Sequence, residues 1–188
     1  NNHKLINKII TTGTRYNTIL YSIVGYIGIV VSPLFIQTWV GTDYLDVIIW
    51  SQILMGYLLI SGGFGLPMHM YFNSGRTNIP IITISVSVII NIYFSFLLID
   101  DYGIGGPILG TVLGGGVTLL TFPYYCNKLK INVIDRLKNI SYILVINLPV
   151  FLVFIYISKY LPINWVYLIV FSLSMISIFF INTYYLIL

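Results

Sequence analysis

Charge is what this chain has least of. It contains no glutamate, and its fourteen ionised residues are nine Lys/Arg and five aspartates, 7% of the 188 residues. A soluble domain carries roughly 25% charged residues, so these charges cannot make a water-facing surface. Alanine is absent as well, and the one cysteine, Cys126, excludes an internal disulfide framework and a thiolate metal site. No Ser/His/Asp set, cluster of metal-ligating residues or pair of inward carboxylates can be assembled. The chain therefore reads as a non-enzyme without metal or cofactor. It begins at Asn1 with no signal-peptide pattern, and is expected to be a fragment.

What is present is apolar: 58% of residues, with a mean hydropathy of +0.95. The few charges divide the sequence into uncharged stretches at 16–42, 47–75, 77–99, 102–127, 139–158 and 160–188. Each reaches the ~20 residues that carry an α-helix across a hydrocarbon core of roughly 30 Å. Strands of a membrane barrel would show strict alternation over ~10 residues, which is not seen. The expectation is an all-α, polytopic bundle of six transmembrane helices near 18–40, 45–72, 79–99, 105–126, 139–160 and 164–188. It forms one membrane domain over 1–188, with no soluble domain.

The basic residues sort by loop. Lys4, Lys8 and Arg15 precede the first helix, Arg76 joins the second and third, and Lys128, Lys130, Arg136 and Lys138 join the fourth and fifth. The opposite side holds Asp43, Asp46, Asp100 and Asp101, with Lys159 as its only cation. Basic loops stay cytoplasmic, so both ends of the chain are expected there. The net charge of +4 then reflects topology and not nucleic-acid binding. Trp39, Tyr44, Tyr102, Tyr160 and Trp165 mark the acidic side, and Tyr16, Tyr71, Tyr124 and Tyr125 the basic side, as interfacial rings do. The segment 127–138 alternates cations with apolar residues and reads as an amphipathic turn on the anionic leaflet, with membrane lipids as partners.

Several local patterns carry more information. Ser61-Gly62-Gly63-Phe64-Gly65-Leu66-Pro67 predicts a kink or unwound turn in the second helix. It serves either as a hinge or cavity wall of a transporter or as a packing kink. Gly106, Gly110 and Gly114 form a ridge for close helix approach. A dinucleotide fingerprint fails, because its next glycine would fall on Ile108 and no strand precedes. In the first acidic loop Gly41 is expected to end helix one, Asp43 to cap helix two and Asp46 to sit in its first turn. His69 either relays protons or binds an anionic headgroup, or else only snorkels. Gln37, Gln52, Asn91, Asn147 and Asn182 either bond between helices or line a path.

The string Pro33-Leu34-Phe35-Ile36-Gln37-Thr38-Trp39-Val40-Gly41-Thr42-Asp43-Tyr44 resembles the helix-end, tryptophan-glycine, acidic-aromatic segment of the bacterial polysaccharide/oligosaccharide flippase family. Phe72-Asn73-Ser74-Gly75-Arg76 is similar to that family's Gly-Arg loop. Tyr102-Gly103-Ile104-Gly105-Gly106-Pro107, continuing to Gly110-Thr111, is similar to its Gly-x-x-Gly helix start. The resemblance spans about residues 15–127. It implies the C-terminal part of a two-lobed transporter of about twelve to fourteen helices, whose N-terminal lobe would be a partner from the same chain. The implied activity is flipping of undecaprenyl-diphosphate-linked oligosaccharide across the bacterial plasma membrane for surface polysaccharide export. Arg15 and Arg76 would attract the diphosphate at the cytoplasmic mouth, or else serve only as topological anchors, and His69, Gln52 and Asn91 would line the substrate path. A multidrug/cation antiporter of the same superfamily, a membrane-embedded polymerase or glycosyltransferase using an outer-face acid, and a structural subunit are the alternatives. The departures are the missing lobe and the scarcity of cations deep in the membrane.

Overall fold

A computed structural model of the chain describes residues 2–187, with the side chains of residues 2–4, 6, 186 and 187 outside what is described. The described chain is all-helical: α1 (Asn2–Trp39), a 3-10 turn (Thr42–Tyr44), α2 (Asp46–Ser61), α3 (Leu66–Asn73), α4 (Asn78–Tyr102), α5 (Gly105–Lys128), α6 (Val133–Ser158) and α7 (Trp165–Ile187). Five of these helices are long and apolar enough to cross a membrane, and the interrupted pair α2 and α3 makes a sixth span if counted as one. Large apolar side chains such as Leu120, Phe96 and Phe180 are exposed along these helices. Water does not tolerate such a surface, whereas lipid covers it at no cost. The protein is a multi-pass membrane helix bundle.

The breaks have local causes. Gly41, at φ +96°, takes a left-handed conformation that a side chain would strain, and α1 ends there with its N–H on Ile36 O. The expected interruption of the second helix is present as the gap between α2 and α3, and Pro67 falls in the first turn of α3, where its missing N–H costs nothing. Asn132 Oδ1 accepts from the N–H groups of Ile134 and Asp135 and caps α6, and Asn164 Oδ1 accepts from Val166 N–H at the head of α7.

Three expectations need correction. Helix α1 starts at Asn2 and not near residue 18. Its 38 residues extend ~57 Å at 1.5 Å per residue, well past a hydrocarbon core of ~30 Å; charges mark where a helix leaves lipid, not where it ends. Asp43 does not cap the second helix, because it lies inside the 3-10 turn and α2 begins at Asp46. The segment 127–138 is not a separate surface turn. Only residues 129–132 lie between α5 and α6, and Asp135, Arg136 and Lys138 belong to α6.

The chain divides into two compact units, one of residues up to 17 and 61–140, the other of residues 18–60 and 141–188. In the first, α4 and α5 form a hairpin closed over glycines. A Cβ on Gly106 would stand 2.8 Å from Ile99 N, and one on Gly114 only 2.5 Å from Ser87 O. The backbones are close enough for Ser87 Oγ to donate to Gly114 O at 2.7 Å. Tyr71 and Met68 of α3 pack with Tyr125 of α5, whose hydroxyl shares a 2.7 Å hydrogen bond with Thr83. In the second unit, α1, α6 and α7 interdigitate large side chains: Tyr26, Val30 and Leu34 against Phe154, Phe171, Met175 and Phe179. There the fully buried Asn147 Oδ1 accepts from Asn182 Nδ2 at 3.0 Å.

Candidate functional sites

The first unit holds eight of the nine Lys and Arg residues, and Lys159 is the only cation of the second. The units therefore present different chemistry and are considered separately.

In the first unit, α3 ends at Asn73 and α4 begins at Asn78, so Arg76 sits in a tight connection between two helix ends. Its guanidinium lies over the Tyr71 ring, 5.5 Å from the centroid. A cavity of about 300 Å³ opens beside it, lined by Tyr71, Gly75, Thr77, Asn78 and Ile79. Thr77 O accepts the N–H of Ile81, which leaves the N–H groups of the first α4 residues facing outward at the positive end of that helix. The neighbouring Tyr124 stacks edge-on with Tyr71 and lies under the Lys128 ammonium, 5.5 Å from the ring centroid. Arg76 and Lys128, both exposed and each over one of two touching tyrosines, make a positively charged surface suited to phosphate oxygens.

The other residues expected in the site separate. Arg15 is half-buried on α1, and among the described residues no hydrogen bond, ion pair or ring contact links it to Arg76. His69 is exposed on α3. Asn91 is taken up by helix packing: its Nδ2 donates to Thr111 Oγ1 across the α4–α5 hairpin, and its Oδ1 accepts from Ser95 Oγ, both at 3.2 Å. Gln52 belongs to the second unit. No group of three metal-ligating side chains is assembled among the described residues.

Gln52 Nε2 donates to Ile29 O at 3.1 Å, which ties α2 to α1, and the residue lines a cavity of about 450 Å³. Gln37, Ser158 and Lys159 share that cavity, with Val30, Leu34 and Leu161 supplying apolar wall. Next to Lys159 at the rim, the Tyr160 hydroxyl bonds Tyr156 at 3.3 Å. That bond first, and desolvation second, hold the Tyr160 pKa above its ordinary value.

A third polar group escaped the sequence reading. Arg136 is only 5% exposed; its Nη2 donates to Asn7 Oδ1 at 3.0 Å, while Nε and Nη1 have no partner among the described residues. Its position was legible in principle. Arg136, Ile140, Ile143 and Asn147 recur at steps of four, three and four, which is the buried stripe of α6. No protein-family profile, curated protein or solved structure matches the chain.

Proposed function

We propose that the chain is part of a membrane transporter that flips a lipid-linked oligosaccharide of the undecaprenyl-diphosphate type from the cytoplasmic to the outer leaflet of a bacterial plasma membrane. The observation that carries this reading is Arg76. It lies on the Gly-Arg loop of the family resemblance, at the basic end of the first unit, beside an open cavity and the start of α4. A guanidinium there offers paired donors to a diphosphate, and the helix start adds partial positive charge. Lys128 and Tyr124 extend the same surface. In this reading Arg15 supplies a second cation on the same side, the basic loops face the cytoplasm, and the broken helix between Ser61 and Leu66 supplies a hinge.

The test is surface-polysaccharide complementation by the full-length parent carrying Arg76→Gln, with Arg76→Lys beside it. Loss of one charged hydrogen-bonding group at an exposed mouth is expected to lower export about tenfold. Lys should recover part of it, since it keeps charge without the bidentate fork. Unchanged export by Arg76→Gln at normal expression would overturn the assignment.

A further inference from the structure

Among the described Lys and Arg side chains, only Arg136 is buried. Its partners are poor for a full charge. Nε and Nη1 have none among the described residues, and Nη2 has only the neutral amide oxygen of Asn7. Asp135, next to it in sequence, is exposed and forms no ion pair with it among the described residues. Buried charges are ordinarily paired with an opposite charge, so an amide occupies a position that suits an anion.

We infer that Arg136 holds the phosphate of an anionic phospholipid, which replaces the Asn7 amide at Nη2. Asn7 is itself exposed, so turning one surface side chain frees Nη2, and the guanidinium can then follow the phosphate outward and bring its other donors to it. The phosphate oxygen is charged where the amide oxygen is neutral, and charge-assisted hydrogen bonds are roughly twice as strong. Depth favours a lipid over a soluble ion. Arg136 is the fourth residue of α6 and stands ~4.5 Å before the uncharged stretch that begins at Asn139, which puts it at headgroup level. The two helix starts that the Asn7–Arg136 bond joins also expose apolar side chains, Leu5 and Ile9 on α1 and Ile134 and Leu137 on α6. A soluble ion gives these no contact, whereas the glycerol and upper acyl carbons of a lipid do. Charge selects an anionic lipid: Lys128, Lys130, Arg136 and Lys138 stand against Asp135 alone, and Lys8 flanks Asn7. The lipid is a resident of the α1–α6 junction and not cargo, so the inference does not rest on the transport reading.

The chain is purified in a neutral detergent and offered equimolar phosphatidylglycerol and phosphatidylcholine, and retained lipid is counted by native mass spectrometry. Phosphatidylglycerol should be retained about tenfold more often, the effect of one charge-assisted contact. Arg136→Met should remove that preference, and Arg136→Lys should keep part of it. Asn7→Leu should raise retention, because it removes the acceptor that competes for Nη2 at an exposed position. Lys159→Gln, which removes a charge from the second unit, should change nothing. Equal retention of the two lipids, an undiminished preference in Arg136→Met, or no gain in Asn7→Leu would each overturn the inference. So would displacement of the lipid by excess inorganic phosphate, which would make Arg136 a site for a soluble anion. Loss of the preference in Arg76→Gln would overturn it too, by moving the lipid to the Tyr71–Tyr124 surface.

Discussion

The α4–α5 hairpin of the first unit and the α1–α6–α7 core of the second solve one problem in two ways. Lipid gives apolar helices no reason to leave it, so association must come from packing and hydrogen bonds. The hairpin removes side chains: its seam is Gly106, Gly110 and Gly114, with Ser87, Asn91 and Ser95 laid directly on the glycine backbone. The core does the reverse and fills its seam with Tyr26, Phe154, Phe171 and Phe179, using rings 5.6 Å apart in the Tyr26–Phe179 stack. A glycine seam has almost no freedom to adjust, because what faces it is main chain. A seam of large side chains can repack.

The largest effect should therefore come from the hairpin. A Cβ at Gly110 would stand 2.6 Å from Asn91 O and 2.9 Å from Ser95 N, and neither atom can move without bending α4. Gly110→Val is expected to cost about 3 kcal/mol, the upper part of the usual overpacking range. Gly116, six residues further along α5, has nothing within 4 Å of a built Cβ. Gly116→Ala should be neutral or stabilising by under ~1 kcal/mol through helix propensity. Denaturation by SDS in mixed micelles reads both, and equal losses would show that the seam is not where the hairpin is held.

The glycine seam was legible because its spacing of four residues is a helix-face pattern in its own right, and the break before Pro67 was legible because proline and three glycines leave a helix few options. The start of α1 was not. Lys8 and Arg15 signal the edge of the hydrocarbon, and nothing between them and Asn2 stops a helix in water. Of the five residues expected in the site, Arg76 sits in a cavity at a helix junction, but Asn91 and Gln52 are amides whose sequence context fits packing and ligand binding equally. Their partners, Thr111 and Ile29, are set by which helices lie side by side, and uncharged stretches of similar character say nothing about that.

Asn147 tests whether the second unit also depends on an exact polar contact. Its Oδ1 holds Asn182 at 3.0 Å and Thr183 at 3.4 Å. Asn147→Leu fills similar space and strands those donors, with an expected loss of about 1–2 kcal/mol. That is smaller than the loss at Gly110, because Asn182 Nδ2 also donates to Ile146 O at 3.1 Å. A loss as large as that of Gly110→Val would remove the contrast between a rigid and an adjustable seam.

Arg136 runs the other way. A buried guanidinium whose side chain makes a single hydrogen bond among the described residues is a net cost, and replacing such a charge with an apolar side chain of similar length is often stabilising. Arg136→Met is expected to raise the stability of the first unit by about 1 kcal/mol. A loss of that size in the same SDS titration would show that the charge is paired in the membrane.

The smallest effects sharpen the comparison most, because they hold packing constant. Tyr26→Phe removes the hydroxyl that donates to Leu144 O at 2.8 Å but keeps the ring against Phe151 and Phe179. Thr83→Val removes the partner of the Tyr125 hydroxyl in the first unit while keeping a branched side chain of the same size. Hydrogen bonds between membrane helices average about 0.6 kcal/mol, and each substitution should cost close to that. Matching small losses would assign the difference between the units to packing alone. A loss at Thr83 several times that at Tyr26 would instead mean that the first unit depends on its polar bonds as well as on its glycines, since a tyrosine hydroxyl left without a partner in a seam that cannot move has no second arrangement to adopt.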